Sequence, residues 1–397
     1  MDDELFEDLP LARKSVLPGA GFFTPDEEGL SERRITALER ADAVVIADGD
    51  ADGLGCAALI REHRGDDLNV AVEPPEADGE ETAVRDPTAP IDPEATVVYE
   101  GPVALVPTSP HRLAKSIEQV REHAPAGVDV DVCDLCPDGP DDVEPLADLV
   151  AHAGDVRWFD HHQWDDALAR AVREAGVDLV VGESDEECST DVALRSLEGS
   201  FADRYADLAA VTRDHDLWLR EDPRSDDLAD YAYWVGSETY VATVRANGAD
   251  LPESAAAFLR QRRIEKQALI DRAVERAGLR EVDGTTVAVT YGRCSQNEVA
   301  ETLRERGADA AVIVKPAGSA SIRGTEGFKR CHEVAARVNG GGHPEAAGCK
   351  PDIYHDVLDY AHHWTTRGAT AKQVILDAFR DLPPEEPAGD EAPDAAD

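Results

Sequence analysis

The feature that most constrains this sequence of 397 residues is an apolar strand running straight into a cluster of acids. Val44-Val45-Ile46-Ala47 is followed by Asp48-Gly49-Asp50-Ala51-Asp52-Gly53-Leu54-Gly55, and residues 56–63 (CAALIREH) then carry a helical pattern. Strand, acidic glycine-rich turn and helix are the opening of a β/α unit. Further short apolar runs at 96–99, 103–106, 128–133, 156–159 and 177–181 each end near acidic or glycine residues, with helical patterns such as 111–123 and 165–175 between them. This alternation predicts an α/β fold with a mainly parallel sheet, whose ligands gather at the carboxyl ends of the strands.

The remainder divides by pattern. SERRITALERAD (31–42) reads as a helix within an N-terminal segment, 1–40, that holds no strong strand signal. The sheet domain is expected over 41–250. A long helical stretch from Pro252 to Gly278, with Pro and Gly as start and stop signals, marks a linker over 251–280. A smaller α/β domain with a C-terminal helix follows over 281–382: strand 286–290, helix 297–306, strands 310–315 and 319–323, and a glycine-rich turn at 340–342. The end, PPEEPAGDEAPDAAD (383–397), reads as a solvated acidic tail.

Composition bounds the chemistry. Asp and Glu number 83 against 39 Lys and Arg, a formal charge of −44, with only 7 Lys among the cations. The acids are spread along the chain, so the composition resembles that of haloarchaeal proteins in molar salt, where about 1 M ions screen charge beyond about 3 Å, more than that of a protein with one basic partner. No apolar run approaches the roughly 20 residues needed to span a bilayer, and the start, MDDELFEDLP, is acidic where a signal peptide is basic. The expectation is a soluble, cytoplasmic protein with no membrane partner. The seven cysteines, Cys133-x-x-Cys136 included, are read as buried small hydrophobes.

Four places put carboxylates or histidines at strand or helix ends: Asp48/Asp50/Asp52, Asp134, Asp160-His161-His162, and Asp214-His215-Asp216. Alternate residues of an extended segment point the same way, so the first three acids can converge, and like charges so placed call for a cation. Each site has a plainer reading. Asp after a strand is usually a helix cap, and a calcium loop would need a glutamate where Leu59 stands. His362-His363 is read as an ordinary surface pair, and Ser189-Thr190 as a helix cap. The four sites in this order outweigh the plain readings.

These residues resemble the motifs of the DHH phosphoesterase superfamily, which includes RecJ exonucleases and nano-RNases. Ser321-Ile322-Arg323 with Gly340-Gly341-Gly342-His343-Pro344-Glu345-Ala346-Ala347-Gly348 resembles the DHH-associated substrate-binding domain. The likeness spans residues 41–350. It implies two divalent ions, Mn²⁺ or else Mg²⁺, a pairing of hard oxygen ligands with imidazole that suits these metals. By resemblance Asp48, Asp50 and Asp134 hold one, and Asp52, Asp134, His161 and Asp214 the other, with Asp216 open as the alternative to Asp214. Asp134 bridges the pair and His162 contacts phosphate oxygens. Arg323, Gly340, Gly341, Gly342 and His343 would bind substrate phosphate.

The function so implied is hydrolysis of single-stranded DNA or short RNA from an end, with replication or repair proteins as further partners. A small-nucleotide phosphatase, acting on 3′-phosphoadenosine 5′-phosphate or a cyclic dinucleotide, and a non-catalytic replication scaffold are the alternatives. Every motif acid being present argues against the scaffold.

Overall fold

The computed structural model describes residues 30–383 apart from 67–69, 74–82, 85–90, 92, 94–95, 100 and 138. The expected tail beyond residue 383 and the first 29 residues of the N-terminal segment lie outside the described residues. The chain forms two compact units, divided in sequence between Arg262 and Arg263.

The first unit starts with helix Glu32–Glu39, capped by Ser31 Oγ accepting the Arg34 N–H. Its strands are β1 (Ala43–Asp48), β2 (Val70–Glu73), β3 (Ala83–Val84), β4 (Thr96–Tyr99), β5 (Val103–Thr108), β6 (Asp129–Cys133), β7 (Val156–Asp160) and β8 (Asp178–Val181). Five of them form a parallel sheet in the order β5-β1-β6-β7-β8. Both faces of the interior strand β1 are buried, as an unbroken apolar run requires. Val45 and Ala47 pack with Leu54 and Ala58 of helix Ala51–His63, and Val44 and Ile46 pack with Leu113, Ile117 and Val120 of helix Leu113–His123.

The apolar run at 96–99 is a strand, but it stands outside this sheet: β4 pairs antiparallel with β2 in a separate three-stranded sheet ordered β3-β2-β4. Only residues 100–102 separate β4 from β5, too few for the crossover that parallel neighbours need. After β8 come four helices, Ser189–Ser196, Asp203–Asp216, Ser225–Trp234 and Ser237–Asn247. Val192, Leu208, Leu228 and Tyr240 join the same core as helix Ala51–His63. The last two helices have no counterpart in the sequence reading.

Helix Glu253–Glu275 follows. It stops short of the expected end because Gly278 opens β9 (Gly278–Val282), which pairs antiparallel with β10 (Thr285–Tyr291). The second unit is a mixed sheet, β13-β14-β12-β11-β10-β9, completed by β11 (Ala310–Val314), β12 (Ala320–Gly324), β13 (Gly340–Gly342) and β14 (Ala346–Cys349). Its one parallel pair, β10 and β11, is bridged by helix Gln296–Glu305.

Two sequence expectations change here. Gly340–Gly342 is an edge strand instead of a turn, paired with β14 so closely that a Cβ on Gly340 would lie 2.1 Å from the Gly348 carbonyl oxygen. His363 is no surface residue: it is 3% exposed, with Nε2 on the Lys315 carbonyl and Nδ1 on the Tyr354 hydroxyl. All seven cysteines are free. Among the described residues no helix is long and apolar enough to cross a membrane.

Candidate metal centre

The carboxyl ends of β1, β6 and β7 deliver most of the expected residues to one place. Asp48 closes β1 and accepts the Gly49 N–H. Asp50 caps helix Ala51–His63, its Oδ1 accepting the N–H groups of Asp52 and Gly53 at 3.0 and 3.1 Å. Gly53 is required by the tightness of this turn, since a Cβ there would sit 2.4 Å from the Asp48 carbonyl oxygen.

Asp52 is 2% exposed, and both its oxygens are held by the start of helix Ser189–Ser196: Thr190 N–H reaches Oδ1 at 2.8 Å and Ser189 N–H reaches Oδ2 at 2.7 Å. Asp134 follows β6 in the left-handed region, φ 57°, with its N–H on the Phe159 carbonyl. That conformation, tolerated by Asp, turns its carboxylate toward Ser189, whose hydroxyl donates to Oδ1 at 3.0 Å.

Asp160, at the end of β7, is fully buried and acts as an anchor. Oδ1 accepts from His162 Nδ1 at 2.7 Å and from the His161 N–H at 2.9 Å, and Oδ2 accepts from Trp164 Nε1 at 2.7 Å. The two histidines thereby differ. Burial alone would lower His162, but the Asp160 bond outweighs it and raises the imidazole to about 9, so it carries charge at neutral pH. Burial lowers His161 below the ordinary range, leaving it neutral.

Asp216 Oδ2 and the ring of neutral His161 are the orphans of the site. Both ring nitrogens are buried without a hydrogen-bond partner, although Nε2 lies 3.1 Å from Asp216 Oδ2 and 3.8 Å from Asp134 Oδ1. Ligand atoms of Asp52, His161 and Asp216 fall within 4.8 Å of one another, as do those of Asp134, His161 and His162.

The fourth motif is where the two acids separate. Asp214 and Asp216 sit two residues apart near the end of helix Asp203–Asp216, and such positions point about 200° apart. Asp216 faces His161. Asp214 Oδ1 instead accepts the Glu221 N–H at 2.8 Å and stands outside both clusters of ligand atoms.

The electrostatics ask for a cation. Burial, then the Asp50 charge, raises Asp48 to about 7; burial, then Asp52 and Asp50, raises Asp216 to about 8. Asp50 and Asp134 are raised for the same reasons. Carboxylates that cannot all ionise together, set around an imidazole with no partner, are a donor set for hard divalent ions.

In the second unit, Arg323 donates from Nε to Asn297 Oδ1 and from Nη1 to the carbonyls of Ile322 and Ala347. Gly341 is open on its free side, and the His343 N–H is taken by the Ala346 carbonyl. The sequence reads Ser189 as a helix cap, with a similar serine implied there by the resemblance, but its hold on Asp134 is seen only in the structure.

No protein-family model matches the sequence, and no curated protein matches it. Solved structures do. A structure of exonuclease RecJ bound to manganese superposes with TM-score 0.50 at 15% identity, covering 90% of this chain and 97% of that one. RecJ from Thermus thermophilus in complex with Mn²⁺ gives 0.51 at 15% identity, over 95% of this chain and 60% of that longer chain. The DHH domain of a member of the S1p family of ribosomal proteins gives 0.52 at 13%, covering 94% and 96%. At these identities the likeness is one of fold: a parallel-sheet domain, a helical middle and a mixed-sheet second domain, shared with the RecJ structures and that DHH domain.

Proposed function

We propose that this chain is a Mn²⁺-dependent phosphoesterase, able to use Mg²⁺, that hydrolyses single-stranded nucleic acid or short oligonucleotides. The observation carrying this reading is the convergence of Asp52, Asp134 and Asp216 on the buried His161 ring, with ligand atoms within 4.8 Å of one another in each of two clusters. The manganese in the RecJ structures of the same fold supports the choice of ion.

Asp48, Asp50, Asp52, Asp134, His161 and Asp216 would hold the ions. Two bound divalent ions supply a water that is deprotonated near neutral pH and neutralise charge on the attacking and leaving oxygens. The protein does the rest. Ser189 Oγ fixes the Asp134 carboxylate, and the helix behind Ser189 and Thr190 fixes Asp52. Charged His162, its Nδ1 committed to Asp160, keeps Nε2–H for a non-bridging phosphate oxygen, where its charge counts most as negative charge builds. Arg323 and the Gly340–Gly342 strand are the recognition elements of this reading.

The test is incubation with Mn²⁺ and a mixed panel of end-labelled DNA and RNA oligonucleotides, 3′-phosphoadenosine 5′-phosphate and cyclic dinucleotides, with products identified by mass. Mononucleotides released from oligonucleotides, and lost with chelator or in Asp134→Asn, support the proposal. Equal rates in wild type and variant reject it, and phosphate released only from small nucleotides moves the assignment to a phosphatase.

A further inference from the structure

Several cations of this chain are held by carboxylates: Arg224 by Asp207, Asp222 and Asp250, Arg61 by Glu238, Arg157 by Asp131. One surface of the second unit departs from this. Arg276 follows helix Glu253–Glu275, Arg280 lies on β9, Arg367 ends helix Val357–Thr366, and Lys372 lies in the first turns of helix Ala369–Arg380. Among the described residues none of these four makes an ion pair. Burial and then Arg367, Arg276 and Arg280 push the Lys372 ammonium below the usual lysine range; burial and then Arg272 and Arg367 do the same to Arg276. No carboxylate offsets either.

Two independent features show that folding alone does not explain the cluster. Arg367 occupies the left-handed region, φ 53° and ψ 47°, directly before Gly368 at φ 69°. An arginine there is strained where glycine or asparagine would be at ease. Lys372 sits near the N-terminus of helix Ala369–Arg380, the end where a cation is disfavoured. The cap, Gly368, gives no side-chain bond, and the first turn holds no acid. Both choices cost stability, and both leave positive charge around Tyr291, over whose ring Lys372 Nζ lies at 5.8 Å.

We propose that Arg276, Arg280, Arg367 and Lys372, with the N-terminus of helix Ala369–Arg380, form a docking surface for the phosphate backbone of a single-stranded nucleic acid. A helix N-terminus flanked by guanidinium groups matches phosphate in charge and in hydrogen-bond geometry. Arg272 and Arg280 extend the positive surface over exposed chain, as a polymer of evenly spaced charges needs. An acidic peptide is the poorer fit: its carboxylates would compete with the many on this chain, none of which, among the described residues, pairs with the patch. The identity of the polymer rests on the hydrolase reading above.

The experiment is fluorescence anisotropy of a dye-labelled single strand on the full chain, with chelator present so that binding is read without cleavage. Arg367→Gly removes a charge and relieves the backbone; Lys372→Glu reverses another and suits the helix end. Both variants are expected to melt at or above the wild-type temperature. The double variant should bind about tenfold or more weakly, with the slope of log affinity against log salt shallower by about 1.4, two contacts at about 0.7 each. Unchanged affinity and slope overturn the proposal, as does a polyglutamate that binds the wild type more tightly than the strand. Wild-type binding without Mn²⁺-dependent turnover strikes the hydrolase reading alone.

Discussion

Ser189 holds Asp52 and Asp134 at once: its N–H lies 2.7 Å from Asp52 Oδ2 and its hydroxyl 3.0 Å from Asp134 Oδ1. Ser189→Ala keeps the first bond and loses the second. On the proposed function Asp134 is a metal ligand, and a residue that orients such a ligand is worth about 10- to 100-fold in metal affinity. We expect a loss of that size in Mn²⁺ titration calorimetry, with the melting temperature nearly unchanged; wild-type affinity would remove Ser189 from the site.

Asp214 and Asp216 should fail differently. Asp216→Asn is expected to weaken Mn²⁺ binding and turnover about tenfold or more, leaving stability intact or improved as one acid is taken out of a crowd of like groups. Asp214→Ala leaves the Glu221 N–H without its acceptor and should cost about 1–3 kcal/mol in denaturant unfolding. Reversed phenotypes would restore Asp214 as the ligand.

The acids of the centre set the pH dependence of the metal-free protein. Asp48 and Asp216, at about 7 and about 8, lie above the ordinary value of 3.8. The folded state therefore binds more protons than the unfolded state across that window, and stability falls as pH rises from about 4 to about 8. Mn²⁺ replaces those protons, so its stabilising effect should grow over the same range. Melting curves across pH, with chelator and with Mn²⁺, measure both; a flat chelator profile would contradict the shifts.

Neighbouring glycines of β13 should respond oppositely to a methyl group. Gly340→Ala drives a Cβ into the Gly348 carbonyl and should destabilise the protein by about 1–3 kcal/mol. Gly341→Ala meets open space and should stay within about 0.5 kcal/mol. Paired denaturant melts decide it.

With a formal charge of −44, self-repulsion should govern stability in dilute buffer. Raising KCl from about 0.1 M to about 1 M shortens the screening length from about 10 Å to about 3 Å, and the melting temperature should climb by several degrees. A melting temperature indifferent to KCl would remove the salt-adaptation reading.

The parallel sheet and the acidic strand ends were legible because they rest on local pattern: an apolar run followed by Asp is visible without knowing what lies opposite. The fate of 96–99 was not, since its apolar pattern looks the same in either sheet and only the short link to β5 decides. That Asp216, and not Asp214, faces His161 follows from helix phase at a helix end, where sequence boundaries are blurred. Ser189 was hidden for another reason: it lies 137 residues from the acid it clasps, and a serine opening a helix has a sufficient local explanation.

The left-handed backbone of Asp134 bears on how an inactive form should be made. Alanine at this position would lose a carboxylate and also resist the turn, confounding chemistry with scaffold. Asparagine suits that corner of conformational space, so on the proposed function it would silence hydrolysis while sparing the architecture, and any loss it causes could be laid to chemistry alone.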